Sequence, residues 1–268
     1  MKRIALLQRI GFMGLSILLI FSTLALISSK DAKLIDAVNR KNDIGSDKNI
    51  VIMELFTSQG CSSCPPADAL LAEYATSNNT QIIPLSFHVD YWNRLGWTDP
   101  FSSNAYSERQ KWYSEHLPKG SVYTPQLIVN GRGEAIGNNR NSVKGLVQKE
   151  LAGKQTQTIS VLDVAVGKTA VSFHYKTMNA NKNDVLNIAL VQKQATTNIG
   201  AGENQGVTLT NHNIVRSFET QALANDGSAQ INLPPSFKAS DYALVVYLQN
   251  KSDLIISAAA MKQLVINN

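Results

Sequence analysis

The sequence predicts an α/β domain followed by a mostly antiparallel, β-rich domain of sandwich type, and three observations predict it. Apolar runs and helical periodicity alternate through residues 48–153. From 154 to 268 the helical period gives way to short alternating strands. The third observation is Cys61 and Cys64, the two cysteines of the chain, set between an apolar run and an amphipathic one. A hydrophobic content of 44% with 17% charged residues is that of a globular chain, so disorder is excluded for most of it.

Ile50-Val51-Ile52-Met53 lies in a first strand, residues 49–56, and the loop 57–60 follows. A helix over about 64–77 carries Leu70, Leu71 and Tyr74 on one face. Pro65 and Pro66 suit its first turn, where a missing N–H costs little, and this puts Cys61 in the turn just before the helix. Asp68 complements the dipole at that end. Residues 81–88 form a second strand whose Ile82, Ile83, Leu85 and Phe87 call for burial on both faces. Asp99 before Pro100 starts the next helix, with Ala105, Arg109, Trp112, Tyr113 and His116 at helical spacing. A strand at 122–129 turns at Asn130-Gly131 into a short partner at 134–136, and a helix over 142–151 stops at Gly153.

That order, strand, helix, strand, helix, strand, strand, helix, is the thioredoxin arrangement, with parallel pairs joined by right-handed crossovers. Sites collect outside the C-terminal ends of parallel strands, so Cys61, His88, Asp90 and Trp92 are expected on one edge. In the second half, Ile159 with Val161 and the runs 171–175, 186–190, 242–248 and 254–256 read as strands between Gly, Asn, Asp and Pro clusters.

The N-terminus has a different task. Lys2, Arg3 and Arg9 precede a stretch over 10–27 that is apolar apart from Gly11, Gly14, Ser16, Ser22 and Thr23, the pattern of export across a membrane. Residues 1–29 read as a signal peptide or as an uncleaved anchor to the inner membrane, and 30–47 as a polar linker. Either way the body lies outside the cytoplasm, periplasmic or extracellular, where a disulfide persists. Without those three basic residues the excess positive charge falls from five to two, which argues against a nucleic-acid partner.

The string VIMELFTSQGCSSCPPADALL, followed by SFHVDYWNRLGWTDPFSS and VYTPQLIVNG, resembles the bacterial secreted, thioredoxin-like family catalogued as domain of unknown function 1223. The likeness spans about residues 50–260 and rests on three motifs in order. It implies a thioredoxin-like first domain and a β-rich second domain, and no defined substrate. Gly202-Glu203-Asn204-Gln205-Gly206 with His212-Asn213-Ile214-Val215-Arg216 resembles a second-domain motif of that family, with Val207 where a basic residue is expected.

A C-x-x-C delivered by a strand to the start of a helix has redox chemistry, because helix N-terminal N–H groups stabilise a thiolate. A structural bridge is the plain alternative, but closing so small a loop contributes little to folding. Cys61, nearer solvent, is then the nucleophile and Cys64 resolves the mixed disulfide with a protein thiol or disulfide, with no cofactor. The thioredoxin likeness implies a cis bond at Thr124-Pro125 facing the cysteines, with the Thr124 backbone available to a substrate chain. Glu54, inside the first strand, either accepts a proton from the resolving cysteine or pairs with a lysine in the core. His88 either tunes the thiolate, or joins both cysteines in holding Cu(I), or packs as a strand histidine. Tyr91 and Trp92 either wall a substrate groove or belong to the core. A binding module with a vestigial site is the remaining alternative.

Overall fold

The computed structural model describes residues 49–118 and 120–265. The segments read as export signal or anchor and as linker lie outside the described residues. Among the described residues no helix is long and apolar enough to cross a membrane.

The first half supplies β1 (Val51–Thr57), α1 (Pro65–Ala75), β2 (Ile82–His88), α2 (Asn104–Ser114), β3 (Gln126–Val129), β4 (Gly133–Ile136) and α3 (Arg140–Leu151). The second supplies β5 (Thr158–Val166), β6 (Ala170–Met178), β7 (Asp184–Asn198), β8 (Thr208–Ala222), β9 (Asp226–Asn232), β10 (Tyr242–Asn250) and β11 (Ile256–Gln263). Eight of these strands form one mixed sheet in the order β11-β10-β7-β8-β2-β1-β3-β4, and β5-β6-β9 form a second, three-stranded sheet.

The expected fold class is corrected by this arrangement. In place of an α/β thioredoxin-like unit followed by a β-rich one, the molecule is mostly β, with three helices among the described residues, and strands from both halves share one sheet. The strand that joins them, β8, is not marked in the sequence because TLTNHNIVRSFETQA is mostly polar and half-exposed, with Ile214-Val215 as its one apolar pair. Its parallel pairing with β2 is confined to Ser86 opposite Ile214. Pro84 in β2 has no N–H to give to that ladder, and Asn213 Nδ2 donates to the Pro84 carbonyl at 2.9 Å instead.

Alternation along the strands sorts side chains onto the two faces of the large sheet. Ile52 and Phe56 of β1, Leu85 and Phe87 of β2 and Val245 and Tyr247 of β10 meet Tyr106 and Tyr113 of α2 in one core. The opposite faces of β1 and β3 pack on α1 and α3 through Met53, Leu55, Leu70, Leu127 and Val143. At the other end, Leu186, Ile188, Leu244 and Val246 face Phe173 and Ile231 of the small sheet. Thus a helix covers one face, and two helices and a sheet divide the other.

Local boundaries differ from expectation where a side chain finds a better partner. Ser103, not Asp99, caps α2, accepting from the Ala105 N–H, because the Asp99 carboxylate is taken by His88. Asn139 caps α3. At the β3–β4 turn, Gly131 has φ +66° and any side chain there would fall 1.9 Å from the Leu254 carbonyl oxygen, so the turn is pinned against the last hairpin.

Candidate functional site at the start of the first helix

Cys61 and Cys64 are joined in a disulfide with Cα atoms 5.4 Å apart. Cys64 stands at the N-cap of α1, with Pro65 and Pro66 in the first turn. The prolines leave that turn without two donors, and the Ala67 N–H goes to the Cys64 carbonyl. Direct support for a Cys61 thiolate therefore comes from hydroxyls more than from helix N–H groups. Thr124 Oγ1 donates to Cys61 Sγ at 3.3 Å, and Ser63 Oγ lies 3.3 Å from the same sulfur. Trp92 Nε1 donates to Thr124 Oγ1 at 2.8 Å, so the tryptophan orients the threonine.

The Thr124–Pro125 bond is cis. Pro125 lies close to α1 because Gly137 separates it from Leu55 and Ala67; a side chain at Gly137 would approach Leu55 Cδ1 to 2.8 Å, the Ala67 Cβ to 3.0 Å and the Pro125 Cβ to 3.1 Å. Thr124, Pro125 and Trp92 are thus brought to the disulfide. Tyr91 donates its hydroxyl to Gln110 Oε1 at 3.2 Å, toward α2, and that hydroxyl also interacts with the Thr124 side chain, which touches Cys61.

Glu54 is placed in another network. Its carboxylate accepts from Arg109 Nη2 at 2.8 Å and Nε at 3.1 Å, from Tyr247 Oη at 2.7 Å and from Tyr113 Oη. It faces α2 because it shares the β1 face of Ile52 and Phe56, whereas α1 packs on the other face. The pairing read as its plain alternative holds, with an arginine in place of a lysine. Burial opposes the charge on Arg109, but Glu54 and the two tyrosine oxygens more than offset it and hold the guanidinium protonated.

A buried acid, Asp68, stands one turn along α1 from Cys64, its N–H bonded to the Cys64 carbonyl. Its Oδ1 has no hydrogen-bond partner. Burial pushes this carboxyl up to about 7, with Asp99 acting the same way and His88, Thr57 and Asn211 opposing. His88 and Asp99 form a buried pair, Nδ1 to Oδ2 2.7 Å, and Nε2 has no partner. For His88 burial works against the charge, yet Asp99 and Asp68 raise the imidazole above its usual value. For Asp99 burial works against ionisation, yet His88 and the N–H groups of Gln59 and Phe101 lower it. Both shifts favour the imidazolium–carboxylate form of the pair. Among the described residues no group of three or more His, Cys, Asp or Glu is arranged around a metal position.

Solvent reaches neither sulfur: Cys61 and Cys64 are both 0% exposed, which corrects the expectation that Cys61 is the more accessible. The cover is the tip of the β7–β8 hairpin. Asn204 Nδ2 donates to the carbonyl oxygens of Gln59 at 2.8 Å and Cys61 at 3.0 Å. Glu203 Oε2 accepts from the Ser62 N–H at 3.0 Å, and the Ser62 hydroxyl and N–H hold that carboxyl below its usual value. Trp97 packs on Gly202 and donates to Gln59 Oε1 at 3.2 Å. Asn204 and Glu203 stand in the Gly202–Gly206 motif of the sequence, but nothing in their local pattern links them to a cysteine loop over 140 residues away. In the sequence Asp68 reads as a complement to the helix dipole and Asp99 as the start of the next helix, not as buried acids around His88.

Fold and site together define a mostly β protein that carries a covered, short-loop disulfide at a helix N-terminus. The chain belongs to the family described as "Protein of unknown function (DUF1223)", which matches residues 52–249. A crystal structure of a protein from Agrobacterium tumefaciens, solved in a structural genomics programme, is similar at 27% identity with a TM-score of 0.61, over 83% of this chain and 98% of that one. A β-glucosidase from Kluyveromyces marxianus, in complex with glucose, matches 42% of this chain and 14% of its own at 11% identity; its TM-score of 0.20 carries no argument. No curated protein matches significantly.

Proposed function

We propose that the protein carries out thiol–disulfide exchange through Cys61 and Cys64 with protein thiols or disulfides as partners. The observation that carries the reading is a bridge closing a loop of sequence separation 3 at the N-terminus of α1, where Asp68, whose N–H bonds the Cys64 carbonyl, is a buried carboxyl raised to about 7. So small a loop removes little entropy from the unfolded chain, so the bridge has a weak structural rationale. A carboxyl poised near pH 7 has a strong one beside a leaving thiolate.

In the oxidised protein, a partner thiolate attacks Cys61 Sγ, the S–S bond breaks, and Cys64 leaves as a thiolate that takes a proton from Asp68. A second partner thiol attacks the partner sulfur of the mixed disulfide and releases Cys61. The balance is two partner thiols oxidised to a disulfide and one protein disulfide reduced to two thiols. Thr124 and Ser63 stabilise the Cys61 thiolate.

Attack requires access, so the hairpin tip over residues 199–207 moves aside first. Its hold on the cysteine loop consists of side-chain bonds to the backbone of Gln59, Cys61 and Ser62, which an incoming chain can replace. The basic and apolar N-terminus supports placing this chemistry outside the cytoplasm.

The test is trapping. Cys64→Ser, mixed with a disulfide-bearing peptide, is expected to accumulate a mixed disulfide at Cys61, and Cys61→Ser is expected to trap none. If Cys64→Ser fails to trap even when the tip is weakened by Asn204→Ala, exchange is not the function.

A further inference from the structure

A second feature lies apart from the disulfide, where α2 crosses β7, β8 and β10. There an open cleft of about 480 Å3 separates the helix from the sheet, within the range of roughly 300–1,000 Å3 in which small molecules bind. Trp112 and Phe218 supply apolar walls. Its polar groups are fixed by one another: Arg109 Nη2 and Asn187 Nδ2 both donate to Gln249 Oε1 at 2.9 Å, and Thr220 Oγ1 donates to Asn187 Oδ1 at 2.6 Å. Groups held in this way need no rearrangement to receive a ligand.

Charge selects the ligand. Arg109 is 8% exposed and gives Nε and Nη2 to Glu54, while Nη1 makes no hydrogen bond among the described residues. Its Cζ lies 4.7 Å from the Phe218 ring centroid and 5.8 Å from that of Trp112, so the guanidinium sits against both walls. Lys251 lines the same cleft with no ion-pair partner among the described residues, and no Asp or Glu lines it. Glu54 balances Arg109 from below, leaving one uncompensated positive charge.

We propose that this cleft binds a small carboxylate with an aromatic body. The ring lies against Trp112 and Phe218, and the carboxylate meets Arg109 Nη1 and Lys251. Such a ligand touches α2 and the strands of the second half at once, so it ties that seam together. This site is independent of the exchange chemistry proposed above.

Phenylacetate is the probe, followed through the indole N–H signals of the 15N-labelled protein, with Trp112 assigned by Trp112→Phe. The expected result is a saturable shift of Trp112 at about millimolar concentration, the scale for a ligand of this size. Trp92 and Trp97, which sit at the disulfide, stay still. Phenylacetamide, the uncharged analogue, binds about tenfold more weakly, and Lys251→Gln weakens phenylacetate several-fold. Lys251 is the residue varied because removing Arg109 strands buried Glu54 and unfolding would obscure the answer. No saturation of Trp112 by about 20 mM, well beyond that expected range, overturns the proposal. So does equal binding of acid and amide.

Discussion

Asn204 Nδ2 lies 3.0 Å from the Cys61 carbonyl oxygen, so a residue 143 positions further along the chain caps the disulfide loop. The same amide reaches Gln59, and its neighbour Glu203 reaches Ser62, making the tip of a long hairpin the roof of the site. The disulfide and its cover are therefore drawn from opposite halves of the chain, and the shared sheet is what brings them together.

Removing the roof exposes the bridge. Asn204→Ala loses two buried hydrogen bonds, and at about 1 kcal/mol each the covered state weakens enough to speed reduction by roughly tenfold or more. Stopped thiol labelling under a fixed concentration of dithiothreitol measures this. Unchanged reduction kinetics would mean that the tip does not control access.

Asp68 gives the site a pH signature. Burial raises its carboxyl to about 7, well above the ordinary aspartate value of about 4. The stability it contributes is therefore present in full below about pH 4 and is lost as pH rises through 7, by an amount on the order of 4 kcal/mol. Asp68→Asn removes that loss, so the variant gains on the wild type between pH 4 and pH 7. Urea unfolding at several pH values checks it. The variant also loses any inflection near pH 7 in the rate at which Cys64 is released.

Glu54 separates stability from chemistry. Glu54→Gln leaves Arg109 without its buried counter-charge, which costs about 3–5 kcal/mol. Thermal unfolding is expected to show the loss, while dithiothreitol reduces the disulfide of the folded variant at the wild-type rate. A changed rate would return Glu54 to the proton-transfer role that its position in β1 suggested.

Much of the first half is legible in the sequence because its signals are local. Apolar runs mark β1 and β2, prolines mark the start of α1, and Asn130-Gly131 marks the β3–β4 turn. The fold class was not legible, because it depends on β8, whose alternating polar residues bury little and whose pairing to β2 rests on a single register position. The site divided in the same way. Cys61, Cys64, Thr124, Pro125 and Trp92 carry local or motif signals and meet in space. Glu203 and Asn204 acquire their roles from the long-range packing that joins the halves, and Asp68 and Asp99 from non-local contacts among α1, β2 and the loop after it; no short pattern encodes either.

The reduction potential of the Cys61–Cys64 pair, measured by equilibration against glutathione buffers, bears most directly on the exchange function. An exchanging pair is expected between about −120 and −270 mV, the span of known oxidoreductase dithiols. A potential below about −300 mV, where inert structural bridges lie, would contradict it.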